Sequence, residues 1–399
     1  MPRTDLSWPV FTPDVHVVES GRGRIGAVGL TTASQSTPVQ GFPGLPRDYE
    51  MPERARGRRK AWTLFKLASA STFVNTSAMF SGTRQVIDSA IHLWSCGAEP
   101  YQWAVPPPTN LHGAATAEAY IESARAAGVA GALVVQPANH MYDHTYVSDM
   151  LKEHSGFFRG MGLANPTLPP QLAVAELDRL QALGFVGVRF NAGAFDGGLN
   201  SDVAKVLYKR AGELGMPVGV MAFKGLISFV PALEELCRQF PSTILIVDHL
   251  GFFRQPATGG QLGTAATNDE ATWAGLLSLA KYPQVHVKVS APFRTSAEAP
   301  PFLDLQPRIA QLLTVYGASR LMWGSDFPFV LPGGFPLPEG VSSTAAAMSY
   351  AEAVQVPSQW SMRELDDAAL DALMGGTAAR LFGFGAATCR MGAAWPHCA

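Results

Sequence analysis

Eight short apolar runs recur between residues 86 and 323, and stretches with the apolar spacing of amphipathic helices lie between them. Short apolar runs that alternate with helical patterns are typical of buried parallel strands joined by helices. Glycine directly follows four of the helical stretches, where it closes the last turn in the left-handed conformation. These are Gly128, Gly184, Gly215 and Gly317. The predicted strands are residues 86–94, 131–137, 158–163, 185–190, 217–221, 243–247, 285–289 and 320–323, and the predicted helices are residues 116–127, 172–183, 201–214, 229–240, 272–280 and 305–316.

This alternation predicts an α/β protein with a parallel sheet, and eight strands over roughly 300 residues fit a (β/α)8 TIM barrel. The rival is a doubly wound sheet, which usually carries a glycine-rich phosphate loop after its first strand. The chain instead continues from its first strand as His92-Leu93-Trp94-Ser95-Cys96-Gly97. We therefore expect one barrel over residues 85–385.

Composition excludes several classes of protein. Apolar residues make up 47% and charged residues 16% of the chain, which describes a globular protein with a large core. A net charge of -2 gives no overall attraction to nucleic acid or to anionic membranes. No apolar run approaches the roughly 18–20 residues that cross a bilayer. We expect a small-molecule substrate and neither a nucleic-acid nor a membrane partner, and leave homo-oligomerisation open.

Residues 1–84 differ from the rest, because they are rich in Pro, Gly, Ser and Thr and lack sustained periodicity. We expect a poorly ordered N-terminal extension or a targeting segment, with a C-terminal tail at 386–399. The basic run 54–60 suits a transit peptide, but such peptides avoid the acids that this segment contains. The four cysteines lie far apart, as in a reduced intracellular protein. A cytoplasmic location is the main expectation, and a plastid or other organelle stays open.

Ionisable residues end three of the predicted strands. His92 lies near the end of the first strand, and His249 and Asp326 follow the sixth and the eighth. In a parallel barrel the carboxyl ends of the strands form the rim that carries the active site. A carboxylate that faces two imidazoles there suits activation of water for attack on a carbonyl. The sequence therefore predicts that Asp326, His249 and His92 are catalytic.

Further polar side chains share faces of otherwise apolar strands, which is costly in a packed core unless they line a site. Asp88, Ala90 and His92 are predicted to share a face of the first strand. A guanidinium grips a carboxylate with two hydrogen bonds, so Arg189 is the best clamp for an anionic substrate. Asn191 shares a face with Arg189 and Lys288 lies on the seventh strand, whereas His140 and His144 lie in the loop after the second strand, which would overhang the pocket. The predicted substrate-binding residues are Arg189, Asn191, His140, His144 and Lys288.

Several of these residues lie in motifs by which the chain resembles a known family. The motifs are Ile87–Trp94, Ala132–His140, Gly187–Asn191, Val247–Gly251 and Trp323–Pro328. In this order they resemble amidohydrolase-related proteins, in the branch that holds the pyrone-dicarboxylate and sugar-acid lactonases and the carboxymuconate-semialdehyde decarboxylases. Plant-type members are the most similar, and the resemblance covers about residues 86–383. It implies a barrel hydrolase with Asp326 as the general base and His249 as a metal ligand or carbonyl-polarising group.

One departure from the family concerns metal. The family's first strand normally reads His-x-His, whereas this chain reads Ala90-Ile91-His92. One divalent metal ion, such as zinc, would then be held only by His92, His249 and Asp326. The lactonase branch also includes metal-independent members, so the resemblance leaves the cofactor open. We expect a hydrolase of a small cyclic ester, a carboxylate-bearing lactone, that uses aspartate-activated water. A metal-dependent decarboxylase and a catalytically silent metabolite-binding barrel are the alternatives.

Overall fold

The computed structural model describes residues 84–254, 266–334 and 348–385, without the side chains of 266–268. Within them, eight parallel strands follow one another in chain order around a nearly closed barrel, which confirms the predicted fold. The strands are β1 (Val86–Ile91), β2 (Val129–Val135), β3 (Phe158–Leu163), β4 (Phe185–Asn191), β5 (Val218–Met221), β6 (Leu245–Val247), β7 (Val285–Ser290) and β8 (Leu321–Gly324).

Helices connect the strands, and the four glycines that the sequence places after helices all have positive φ, between 67° and 95°. A helix over Thr145–Glu153 lies between β2 and β3, where no helix is predicted from the sequence. Short helices that complete the barrel follow β7 and β8. The helices are α1 (Ala117–Ala126), α2 (Thr145–Glu153), α3 (Pro170–Ala182), α4 (Asp202–Glu213), α5 (Val230–Gln239), α6 (Ala266–Ser278), α7 (Pro292–Thr295), α8 (Gln306–Tyr316), α9 (Tyr350–Gln355), α10 (Asp367–Asp371) and α11 (Thr377–Phe382), with a π-helical segment at Ala372–Gly376.

Two apolar clusters divide the core. The larger one packs the outer faces of the strands against the helices. The smaller one fills the barrel interior near the start of the strands with side chains such as Leu133, Met161 and Ile246. Phe382 and Phe384 close this inner cluster, and both are more than nine-tenths buried. Interior filling near the strand starts leaves the opposite end for polar side chains.

A bulge in β1 corrects the predicted pattern of faces. Asp88 pairs with Ala132 and Ile91 with Val134, so β1 carries one residue more than β2 over this stretch. Such a bulge shifts the alternation of side chains along the strand. Ile87 packs inside the barrel, whereas Ile91 packs outside. The prediction that Asp88 shares a face with His92 was therefore wrong, because the bulge lies between them.

The contact between residues 88–92 of β1 and residues 323–327 at the end of β8 closes the barrel, and we call it the β1–β8 seam. Within the described residues the seam has one isolated bridge, Ile91 with Phe327, and no continuous ladder. His92 N donates to Phe327 O at 2.7 Å and Asp326 N donates to Ala90 O at 2.8 Å. The main chain of the seam thus carries His92 and Asp326 side by side.

The predicted tail and all but one residue of the predicted extension lie outside the described residues. In the part of the chain that the structure describes, no helix combines the length and apolar character needed to cross a membrane.

Candidate active site

His92, His249 and Asp326 come together where β1, β6 and β8 end. His92 Nε2 lies 3.4 Å from Asp326 Oδ1, and His249 Nε2 lies 3.7 Å from the same oxygen. All three side chains are more than nine-tenths buried. A single carboxylate oxygen therefore faces two imidazoles in a site largely shielded from water.

The backbone that presents these side chains is in the left-handed region at several non-glycine residues. φ is 49° at His249, 54° at Leu250, 50° at Ala291 and 62° at Asp326, just after β6, β7 and β8. Such residues cost about 1–3 kcal/mol each and persist only where the surroundings fix them. At Asp326 the hydrogen bonds of its own N–H to Ala90 and of Phe329 N to its carbonyl do so.

Hydrogen bonds to the backbone and to a serine orient the imidazoles. His92 Nδ1 lies 3.0 Å from Val135 O, which accepts only a proton, so Nδ1 carries the proton and donates it. In neutral His92 the Nε2 lone pair then faces Asp326. His249 Nδ1 lies 2.8 Å from Ser290 Oγ. Burial lowers the pKa of His92 and lowers that of His249 to about 3, so both rings are neutral at physiological pH.

Asp326 is ionised because a guanidinium outweighs the effect of burial. Burial raises the pKa of this carboxyl, but the charge of Arg294 holds the pKa well below its usual range. Arg294 Nε donates to Asp326 Oδ2 at 2.7 Å. One carboxylate oxygen therefore binds Arg294 and leaves the other facing the imidazoles.

Arg189 and Lys288 lie in a second charged group, around Asp248. Arg189 donates from Nε to Asp248 Oδ2 at 2.9 Å, and its terminal nitrogen lies at the same distance from that oxygen. Lys288 Nζ lies 3.0 Å from Asp248 Oδ1. Burial raises the pKa of Asp248, yet Lys288 and Arg189 hold it below its usual range. A terminal nitrogen of Arg189 also lies 3.5 Å from His249 Nε2, which connects the two charged groups.

The other predicted substrate-binding residues are placed differently. His140 Nε2 accepts from Ser95 N and its Nδ1 lies 3.2 Å from Gln102 O, so the ring joins two loops. His144 Nε2 accepts from Leu163 N at 3.0 Å. These contacts of both histidines lie outside the His92–His249–Asp326 group. Asn191 ends β4, two residues beyond Arg189, and is half-buried. Their roles stay predictions.

The side chains of His92, His249 and Asp326 carry atom types that bind metal ions, but they are not arranged as a metal site. Imidazole nitrogen and carboxylate oxygen are zinc ligands. Among the described residues, however, no group of three or more His, Cys, Asp or Glu side chains is arranged to hold a metal ion. At position 90, two residues before His92 in β1, the methyl group of Ala90 supplies no ligand.

Sequence reasoning missed Arg294 and the partners of the predicted residues. Arg294 lies in α7, four residues beyond the last residue of β7, at the same rim as Asp326. Its position just after a strand end was the available signal. Asp248 lies in the motif Val247–Gly251 and is not among the predicted site residues, although an aspartate next to His249 at a strand end carries the same signal. That it pairs with Arg189 and Lys288 depends on closure of the barrel.

A (β/α)8 barrel with ionisable residues at the carboxyl ends of its strands has the architecture of a barrel enzyme. The sequence profile described as Amidohydrolase matches residues 87–384, about three quarters of the chain. The chain belongs to the amidohydrolase family.

Two relatives match parts of the chain. An L-fucono-1,5-lactonase of Burkholderia ambifaria is 31% identical over 110 residues, which are 27% of this chain and 35% of that protein. A 4-sulfomuconolactone hydrolase of Hydrogenophaga intermedia is 26% identical over 214 residues, which are 53% of this chain and 64% of that protein. The matches thus span less than two thirds of either relative.

Solved structures match more of the chain. A Pseudomonas putida protein assigned as a 2-pyrone-4,6-dicarboxylic acid hydrolase has a TM-score of 0.53 and 26% identity, over 76% of this chain and 98% of that one. A zinc-bound amidohydrolase of Burkholderia multivorans has a TM-score of 0.52 and 20% identity, over 75% of this chain and 99% of that one. The second likeness shows the fold alone.

Proposed function

We propose that the barrel of residues 85–385 hydrolyses a small lactone that bears a carboxylate. The observation that carries this proposal is the placement of one oxygen of the ionised Asp326 within 3.4 Å of His92 Nε2 and 3.7 Å of His249 Nε2. Both partial relatives and the Pseudomonas structure are described as enzymes that open lactones or pyrones. Those descriptions support the substrate class and do not identify the substrate.

The charges at the site favour an anionic substrate. Arg189, Lys288 and Arg294 are cations, Asp248 and Asp326 are anions, and the two histidines are neutral, so the group carries one net positive charge. Buried charges interact more strongly than exposed ones, since little water screens them. Arg189 would hold the substrate's carboxylate while its Asp248 contact fixes the guanidinium.

In the proposed reaction, Asp326 Oδ1 and the lone pair of His92 Nε2 both accept hydrogen bonds from a water molecule. The water oxygen attacks the lactone carbonyl carbon while Asp326 takes one water proton. The net positive charge of this buried group stabilises the oxyanion that forms. The tetrahedral intermediate then breaks its bond to the ring oxygen, which takes the proton from Asp326. The product is an open-chain hydroxy acid, and Asp326 is regenerated.

The test is the Asp326→Asn variant in a panel of sugar-acid lactones, muconolactones and pyrone carboxylates. Asparagine keeps the shape of the side chain but cannot accept the proton, so kcat should fall about a hundredfold or more. Product acid is measured by continuous titration, and the fold is checked by far-UV circular dichroism. Assays with and without a chelator, and with zinc added back, report whether a metal ion takes part.

The matched control is Asp178→Asn, an aspartate of α3 that pairs with Arg210 away from the site. This variant should hydrolyse lactones at the wild-type rate. Wild-type turnover by folded Asp326→Asn would remove Asp326 as the base. A wild-type protein that opens no lactone, and releases carbon dioxide from an aromatic or muconate acid instead, would favour the decarboxylase.

A further inference from the structure

Behind the site lies a buried carboxylate that the proposed reaction does not use. Asp88 is fully buried on the outer side of the barrel and accepts hydrogen bonds on both carboxylate oxygens. Oδ2 accepts from Tyr350 at 2.9 Å and from Tyr120 at 3.4 Å, and these tyrosines belong to α9 and α1. Asp88 is therefore held from the helix layer by two hydroxyl groups.

The other oxygen of Asp88 spans the β1–β8 seam. Oδ1 accepts from Ala90 N at 3.2 Å and from Ser325 N at 2.9 Å. Ala90 precedes His92 by two residues, and Ser325 directly precedes Asp326. In the described part of the chain, β1 and β8 are not joined by a continuous ladder of backbone hydrogen bonds. Asp88 Oδ1 instead binds both the β1 segment that carries His92 and the β8 segment that carries Asp326.

Both bonded segments have irregular backbone that needs such support. On the β1 side, Ala90 lies within the bulge between Asp88 and Ile91. On the β8 side, Ser325 leads into Asp326, whose φ is 62°. A residue in the left-handed region persists only when its surroundings fix it. The Asp88 contact supplies one of those constraints to each strand.

We propose that Asp88 is a positioning residue, whose Oδ1 fixes the separation of His92 and Asp326 by binding the β1 bulge and the β8 turn together. The proposal rests on the function proposed above, in which these two residues share one water molecule. Asp88 acts through the backbone and touches neither substrate nor the reacting atoms. Small displacements of reacting groups reduce rates strongly, by up to about a hundredfold for 1 Å.

Two other contacts provide matched controls at the same place. Tyr350→Phe removes a hydroxyl from Oδ2 and leaves Oδ1 in contact with both strands. Ser89→Ala removes the hydrogen bond from Ser89 Oγ to Trp323 O, a seam contact three residues before Asp326. Each control should lower the unfolding temperature, because each loses a buried hydrogen bond. Neither should change kcat by more than about twofold, since neither touches the Oδ1 bridge.

The experiment measures kcat, KM and the unfolding temperature for Asp88→Ala, Asp88→Asn and the two controls in the full-length protein. Asp88→Ala removes the bridge and should lower kcat by about tenfold to a hundredfold with little change in KM. Asp88→Asn keeps an oxygen that accepts from Ser325 N and Ala90 N, so its kcat should stay within about threefold of the wild type. Asp88→Ser replaces the alanine variant if that variant does not fold.

Hydrogen–deuterium exchange of the peptide over residues 321–331 gives a readout that needs no substrate. Exchange in this peptide should be faster in Asp88→Ala than in Tyr350→Phe when each variant is measured at the same number of degrees below its own unfolding temperature. A kcat within twofold of the wild type in folded Asp88→Ala or Asp88→Ser overturns the proposal, as does wild-type exchange in this peptide. If the wild-type protein opens no lactone, the proposed function fails, and the exchange data still decide whether Asp88 fixes the seam.

Discussion

Asp248 is the residue that most affects the charges of the site. Its two carboxylate oxygens face Lys288 and Arg189, and all three side chains are more than nine-tenths buried. A buried ion whose partner is removed is strongly destabilising, because no water replaces the lost contact. Asp248 is therefore expected to matter for stability as well as for holding Arg189.

Removing the Asp248 charge should lower the free energy of unfolding by about 3–5 kcal/mol, because Asp248→Asn leaves two buried cations without their anion. Urea unfolding at pH 7 measures the loss. Adding Lys288→Met should restore part of the stability, since it removes one of these cations. A double variant that is less stable than Asp248→Asn alone would contradict this account of the network.

Individual site residues were predictable where they stood at strand ends. The alternation of apolar runs shows where strands stop, so His92, His249 and Asp326 could be placed at one rim from sequence alone. His140 and His144 were predicted to bind substrate because their loop follows β2, but the position of a loop does not determine which groups an imidazole contacts. Their observed partners are backbone groups of Ser95, Gln102 and Leu163, which no local pattern identifies.

At the scale of elements, the β1–β8 seam depends on two small residues. A Cβ built on Gly324 would lie 2.8 Å from Ala90 Cβ and 3.0 Å from Ala90 N. Real side-chain atoms do not approach so closely, so a larger residue at 324 must separate the strands. The same contact limits the room next to Ala90.

Gly324→Ala should therefore lower the free energy of unfolding by about 1–3 kcal/mol and reduce kcat, because the added methyl group pushes β8 away from β1. Thermal unfolding and the lactone assay measure both effects. Ala90→Gly in the same chain should recover part of each loss. Gly113→Ala is the control, since a Cβ there meets nothing within 4 Å. Equal effects of Gly324→Ala and Gly113→Ala would show that the β1–β8 seam can accommodate a methyl group at residue 324.

The elements were more predictable than their details. All eight predicted strands overlap an observed strand, because their apolar runs, and the glycines that end the helices before four of them, are local signals. The bulge in β1 could not be predicted, since one extra residue in a strand leaves no local mark and depends on pairing with β2. This single residue reversed the predicted face of Asp88 and hid its role in the seam.

At the scale of the whole molecule, the described barrel begins at Arg84 and ends at Gly385. Every strand of the barrel, and the α11 residues that close its interior, lie between these positions. As far as the structure describes them, the buried residues of both apolar clusters lie within this range. We therefore propose that residues 85–385 fold as an independent domain.

Deletion of residues 1–80 should cost less than about 1 kcal/mol of stability if residues 85–385 fold independently. About 1 kcal/mol corresponds to 2–4 °C for a domain of 150–250 residues, so the unfolding temperature should shift by less than about 3 °C. Removal of residues 386–399 should have an equally small effect. Differential scanning calorimetry measures both. As a control, truncation after residue 365 removes Phe382 and Phe384 from the barrel interior and should lower the temperature strongly. A large drop on deleting 1–80 would mean that the first segment belongs to the domain.

The way in which α11 covers the start of the strands brings the two ends of the barrel sequence together. A Cβ placed on Gly385 would lie 3.6 Å from Gln85 Nε2, and one on Gly375 would overlap Gln85 O. A short linker between residues 385 and 85 would thus turn the barrel into a cyclic chain. Circularly permuted genes could then open it at loops on the end away from His92 and Asp326. The order of the strands around the barrel would stay the same, while β1 and β8 would become neighbours in sequence as they are in space.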